Sequence, residues 1–146
     1  VTRWTSNNQH ERFTHDAWWQ AQKEGLELSY HDWVVAQLDE WTGDVRALND
    51  KLRRGEAEGK IHIVGGLAQA DHSEIAAAVE QVCTYAAFDP KDDPYGEHDF
   101  GAFTIGDQKF MWKIDYYAPD MESGSENPAD PKVTRRVLTI FYAEDY

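Results

Sequence analysis

One cysteine, Cys83, stands alone in 146 residues. No internal disulfide can form, and the fold must rest on packing and hydrogen bonds. A solitary thiol fits a reducing compartment, so the expected location is the cytoplasm. Long apolar runs are also missing. None approaches the roughly 20 residues of a membrane span, and Val1-Thr2-Arg3-Trp4-Thr5-Ser6 shows no basic segment leading into an apolar one. Neither membrane association nor a secretory leader is expected. Positive charge is scarce: 14 Lys and Arg face 27 Asp and Glu, for a net charge of −13. Such a field repels phosphate backbones, which argues against direct nucleic-acid binding. Metal-ligand spacing is missing as well. His10, His15, His31, His62 and His72 follow neither the HExxH nor the CxxC pattern, so no closed zinc site and no cofactor are expected. Nothing adjacent in sequence activates Cys83, which reads as a packed thiol.

Aromatic residues are plentiful, with 6 Trp, 7 Tyr and 6 Phe, too many for a disordered chain. The length is that of one compact domain. The surplus of carboxylates serves solubility, and it also fits a basic protein partner, including a nucleic-acid-binding complex.

Residues 1 to 13 are polar and show neither helical nor strand period, as expected of a frayed terminus. Thr14 can cap a short helix from His15 to Glu24 that stops at Gly25. Ser29 with Asp32 forms a capping-box pattern before Trp33, Val34, Leu38 and Trp41. Gly43 is expected to separate that helix from a third, Asp44 to Arg54, with Val45, Leu48 and Leu52 at helical spacing. A strand follows at Lys60–Gly65, with Gly65-Gly66 as a tight turn. Asp71 and Glu74 then open a helix whose stripe is Ile75, Val79, Val82 and Ala86. Strands at His98–Ile105 and Gln108–Tyr117 are joined by Gly106-Asp107, a pair suited to a two-residue hairpin. A last strand runs from Arg135 to Ala143. The predicted class is α+β: elements in the order ααα-β-α-β-β-β, a small antiparallel sheet and helices packed on one face. Residues 1–42 read as a helical extension and 43–146 as the α+β domain. Most tryptophans at helical spacing are expected in the core; an exposed one among Trp4, Trp18 and Trp19 would mark a protein interface.

The two-residue turn fixes a register in which Ile105 faces Gln108, Phe103 faces Phe110, Gly101 faces Trp112 and His98 faces Asp115. Phe103, Ile105, Phe110, Trp112, Ile114 and Tyr116 then share the core face, joined by Leu138, Ile140 and Tyr142. His98, Phe100, Met111, Lys113, Asp115 and Tyr117 occupy the other. An imidazole opposite a carboxylate there has three readings: an oriented acid-base pair with Lys113 beside it, half of a metal site with oxygen ligands from Glu97, Asp99 or Asp120, or an ordinary cross-strand charged pair. The loops flanking the hairpin carry two acidic stretches: Asp89, Asp92, Asp93, Glu97 and Asp99, then Asp115, Asp120, Glu122, Glu126 and Asp130. These are the candidate binding residues. A solvated face is the commoner origin of such runs.

Three segments carry a family resemblance: Asp93-Pro94-Tyr95-Gly96-Glu97-His98-Asp99-Phe100-Gly101, Trp112-Lys113-Ile114-Asp115-Tyr116-Tyr117, and Thr134-Arg135-Arg136-Val137-Leu138-Thr139-Ile140. In that order and spacing, over roughly Asp44 to Tyr146, the chain resembles a bacterial domain-of-unknown-function family often encoded on plasmids and other mobile elements. The resemblance implies a setting, not an activity. Small acidic proteins of mobile elements include anti-restriction and anti-CRISPR inhibitors, some of them DNA mimics. The leading expectation is therefore an acidic, non-catalytic binding protein. The alternative is an enzyme or metal-binding protein using His98, Asp99, Lys113 and Asp115, with Arg135 or Arg136 holding an anionic substrate.

Overall fold

The computed structural model describes residues 14–25 and 27–146. The expectations for residues 1–13, including His10 and Trp4, lie outside the described residues, as does any statement on the His15 side chain. Among the described residues, three α-helices accompany a four-stranded mixed sheet, an α+β fold.

Helix α1 (His15–Lys23) is capped by Thr14, whose hydroxyl accepts from Ala17 N at 3.1 Å. Helix α2 (Tyr30–Arg53) starts on Ser29, whose hydroxyl accepts from Asp32 N. It runs 24 residues without a break, so the two helices expected on either side of Gly43 are one, and the boundary expected at 42/43 falls inside it. A glycine within a helix costs only about 1 kcal/mol. That is offset because Trp41, Val45 and Leu52, all in the core, keep one helical phase through it.

Strand β1 (Lys60–Ile63) leads through a 3-10 turn at Gly65–Gln69 into α3 (His72–Cys83). Asp71 caps α3 by accepting from Glu74 N at 2.9 Å. The helix ends before Ala86, and Cys83 is half-buried. Strands β2 (Phe100–Ile105), β3 (Gln108–Tyr117) and β4 (Arg135–Tyr142) form an antiparallel meander. The sheet order is β1-β4-β3-β2, and β1 pairs parallel to β4, with Ile61 beside Leu138 and Ile63 beside Ile140. The purely antiparallel sheet is thus corrected to a mixed one. No tight turn links β1 to a neighbour, so no local signal sets its direction.

The hairpin register is as expected where strand persists: Ile105 faces Gln108, Phe103 faces Phe110 and Gly101 faces Trp112. Gly106 supplies the positive φ of +60° that the turn needs. Gly101 has a packing reason, since a Cβ there would press on the Trp112 indole and lie 2.7 Å from Tyr85 Cζ. Phe110, Trp112 and Ile114 of β3 and Leu138 and Ile140 of β4 pack with Trp41, Val45 and Leu52 of α2 and Ala78 and Val82 of α3. Tyr142 ties the sheet to α3, its hydroxyl donating to the Glu74 carboxylate. The helices in this core meet one face of the sheet.

Candidate functional site

The uncovered face presents what the alternation of β3 dictates: Met111, Lys113, Asp115 and Tyr117 point away from the core residues Trp112, Ile114 and Tyr116. In register, His62 of β1, Thr139 of β4 and Lys113 of β3 form a row across three strands. Val137 stands between β1 and Asp115 in the adjacent row. The resulting depression of about 540 Å³ includes His62, Lys113, Asp115, Tyr117, Phe141 and Tyr146 in its walls. Lys113 Nζ lies 3.1 Å from Asp115 Oδ2, a pair still open to water.

His98 is not on this face, which corrects the expected His98–Asp115 pairing. The ladder ends where the Asp99 carbonyl accepts from Ile114 N at 2.8 Å. His98, at φ +57°, then turns the chain out of the strand, and Asp115 faces Val137 on the other side. The imidazole instead lies flat on Phe88, with centroids 3.6 Å apart and planes 1° from parallel. Its Nδ1 is 2.9 Å from Asp50 Oδ1 on α2, and its Nε2 is 4.0 Å from Asp93 Oδ2. Asp50 also receives Arg53 Nη2 at 2.7 Å. Arg53 donates in turn to the Val82 and Tyr85 carbonyls, at 2.9 and 3.1 Å, closing the C-terminal end of α3. This partly buried centre fixes α2, α3 and the 88–99 segment to one another. Burial opposes ionisation of Asp50, yet the hydrogen bonds from Arg53 and His98 outweigh it and hold the carboxyl below its ordinary range. Asp99 shifts the other way, pushed up first by burial and then by the neighbouring Asp93 charge.

The expected acidic rim divides in two. Asp93 and Glu97 are buried and are corrected from rim to interior, and Asp99 is half-buried. Asp93 accepts the His98 backbone N–H, and the Glu97 carbonyl accepts from Asn49 Nδ2 at 3.0 Å, which draws the loop beneath α2. Asp89, Asp92, Asp120, Glu122 and Glu126 are exposed, and Asp130 is half-buried. Asp120 also shapes its own loop by accepting from Glu122 N and Ser123 N, bonds that lower its pKa.

A third acidic segment is hidden in the sequence by the helical pattern of its apolar stripe. Glu24, Glu27, Asp32, Asp39, Glu40 and Asp44 follow one another with no Lys or Arg between Lys23 and Arg46. Both hairpin loops dock onto α2 within this segment. Trp41 Nε1 donates to Asn127 Oδ1 at 2.8 Å, and Pro94 and Tyr95 share a hollow with Val35, Leu38, Asp39 and Thr42. Of the amino-terminal tryptophans, Trp33 and Trp41 are buried as expected, and Trp18 is half-buried with its indole N–H on the Leu28 carbonyl. Trp19 is 54% exposed, in a hairpin that also exposes Leu28, Tyr30 and Val35.

The last strand's register, which sequence left free, turns Arg136 inward. Its Nε donates to Asn49 Oδ1 at 2.7 Å and its Nη2 to the Pro128 carbonyl, with Cζ 5.2 Å from the Tyr116 ring centroid. Asn49 Nδ2 in turn reaches Tyr116 Oη at 2.8 Å. Burial lowers the Arg136 pKa to about 10 against the pull of Tyr116 and Glu97. Burial, helped by Asp99 and Glu97, raises that of Tyr116. Among the described residues, no group of three or more His, Cys, Asp or Glu is placed to hold a metal ion.

Residues 63–145 match the model of a family described as protein of unknown function (DUF3768). The match covers more than half of the chain, and the chain belongs to that family. It takes in the end of β1, α3 and strands β2 to β4, and leaves α1 and α2 outside, a narrower span than the resemblance from Asp44 implied. No curated protein and no solved structure matches the chain.

Proposed function

We propose that this member of the DUF3768 family is a non-catalytic binding protein that grips a basic protein through the α1–α2 hairpin and the acidic loops docked beside it. The observation that carries this reading is the exposed Trp19, with Leu28, Tyr30 and Val35, in a segment that has carboxylates and no cation from Glu24 to Val45. Large aromatic side chains are frequent anchors of protein interfaces. Surrounding carboxylates steer a cationic partner and disfavour acidic ones. Asp89, Asp92, Asp120, Glu122 and Glu126 extend the same sign of charge along the two loops that touch α2.

The partner class that fits is a nucleic-acid-handling protein, whose binding groove is basic. Carboxylates standing in for phosphates would make this chain an inhibitor of such a protein. A setting on bacterial mobile elements, where anti-CRISPR and anti-restriction proteins act in the cytoplasm, suits that role. Nucleic acid and membrane are not contacted directly. The rival, an enzyme or metal-binding protein centred on His98 and Asp115, loses its geometric support, because the imidazole is held by α2 while the carboxylate lies on the open sheet face.

Affinity capture from cells tests the reading. The bait is wild type, Trp19→Ala, or a chain with Asp120, Glu122 and Glu126 changed to Lys. A basic partner retained by wild type and lost from both variants is the expected result. An identical partner list for all three baits rules the reading out.

A further inference from the structure

A protein this acidic places several of its few cations around one cleft. It holds about 690 Å³ between the carboxyl end of α2, the 57–60 segment and the 121–136 region. Its apolar walls come from Leu48, Leu52, Ala57, Met121 and Pro131, and its charged ones from Lys60, Arg135 and Arg136, with Glu58 the single carboxylate residue among them. Arg136 is 8% exposed. Among the described residues, no carboxylate lies within ion-pair distance of Arg136, Arg135 or Lys60. The Nε and Nη2 atoms of Arg136 are used by Asn49 and Pro128, both neutral, and Nη1 makes no hydrogen bond to a described residue.

The Glu97 charge acts on this guanidinium only from beyond ion-pair distance. A desolvated cation with no carboxylate in contact is an arrangement that an anion relieves, and the low-dielectric wall strengthens the attraction. Lys60 and Arg135, both exposed at the mouth, add charge where a ligand would enter. We infer that this cleft binds a small organic oxyanion, a carboxylate or phosphate carried on an apolar body. The charged head lies toward Arg136, Arg135 and Lys60, and the body lies on Leu48, Leu52 and Met121. The cleft adjoins the acidic binding surface proposed above, since Met121 lies between Asp120 and Glu122, but its ligand is of opposite charge to that surface's partner.

Calorimetric titration at constant ionic strength tests this, with phenyl phosphate, benzoate and inorganic phosphate as probes. Saturable binding of phenyl phosphate or benzoate, at least tenfold tighter than inorganic phosphate, is expected. The double variant Lys60→Gln/Arg135→Gln changes only exposed side chains. It should weaken that binding tenfold or more while melting like wild type without ligand. Arg136→Gln should abolish binding where it folds; the double variant keeps the test decisive where it does not. Three results overturn the inference: no saturable binding of any probe, inorganic phosphate binding as tightly as the organic anions, or a double variant that binds like wild type.

Discussion

Among the described residues two arginines are buried, Arg53 and Arg136, and adjacent residues of α2 serve them. Asp50 gives Arg53 a carboxylate at 2.7 Å; Asn49 gives Arg136 an amide oxygen at the same distance. Arg53 also lies against the edge-to-face pair Phe88 and Trp112, with Cζ 5.1 and 5.2 Å from their centroids, and donates to two carbonyls of the α3 terminus. Its charge is compensated and its work is structural. Arg136 has a ring, an amide and a carbonyl around it, and the Glu97 charge reaches it only from beyond ion-pair distance. The difference teaches that burial alone does not define a charge's role. A guanidinium in contact with a carboxylate holds a fold together, whereas one with no carboxylate in contact, beside a cleft, is prepared for something that arrives from outside.

The largest effect should follow from breaking the compensated pair. Arg53→Met leaves Asp50 without its closest cation and uncaps α3, and should cost about 3–5 kcal/mol in urea denaturation. Arg136→Met leaves Asn49 Oδ1 and the Pro128 carbonyl short of a donor but also removes an unpaired buried charge, for a net cost of about 1 kcal/mol. Equal costs for the two variants would break the comparison.

Acid titration sharpens it. The depressed carboxyl of Asp50 contributes stability that is present above the ordinary aspartate pKa of about 4 and is lost as pH falls through the lower folded value. Asp50→Asn should therefore flatten that part of the stability profile. Asp99 has the reverse sign. Its raised pKa means that ionisation opposes folding above the folded value, so Asp99→Asn should be more stable than wild type at neutral pH. Thermal melts between pH 3 and 7 measure both. The smallest effect belongs to the exposed pair. Lys113→Ala should change stability by less than about 1 kcal/mol, as for surface ion pairs generally.

The β2–β3 hairpin was readable because its register follows from one local feature, the Gly106-Asp107 turn, and from alternation along the strands. The register failed only beyond Asp99, where His98 takes a left-handed conformation that no neighbouring glycine announces. The link from Asp50 to His98 spans 48 positions, and no local pattern announces it. Asp93 and Glu97 read as surface carboxylates because acidic runs usually are, and their burial depends on partners from α2.

By itself, the sequence determined the helix caps, the hairpin and the apolar face of β3, along with the surplus of negative charge. Each depends on interactions within a few residues or on composition alone. Tertiary structure decided the direction of β1, the continuity of α2 through Gly43, the burial of the predicted rim acids Asp93 and Glu97 and the inward turn of Arg136. Those outcomes rest on which distant groups are at hand to satisfy a charge or cover an apolar stripe, and only the folded chain supplies them.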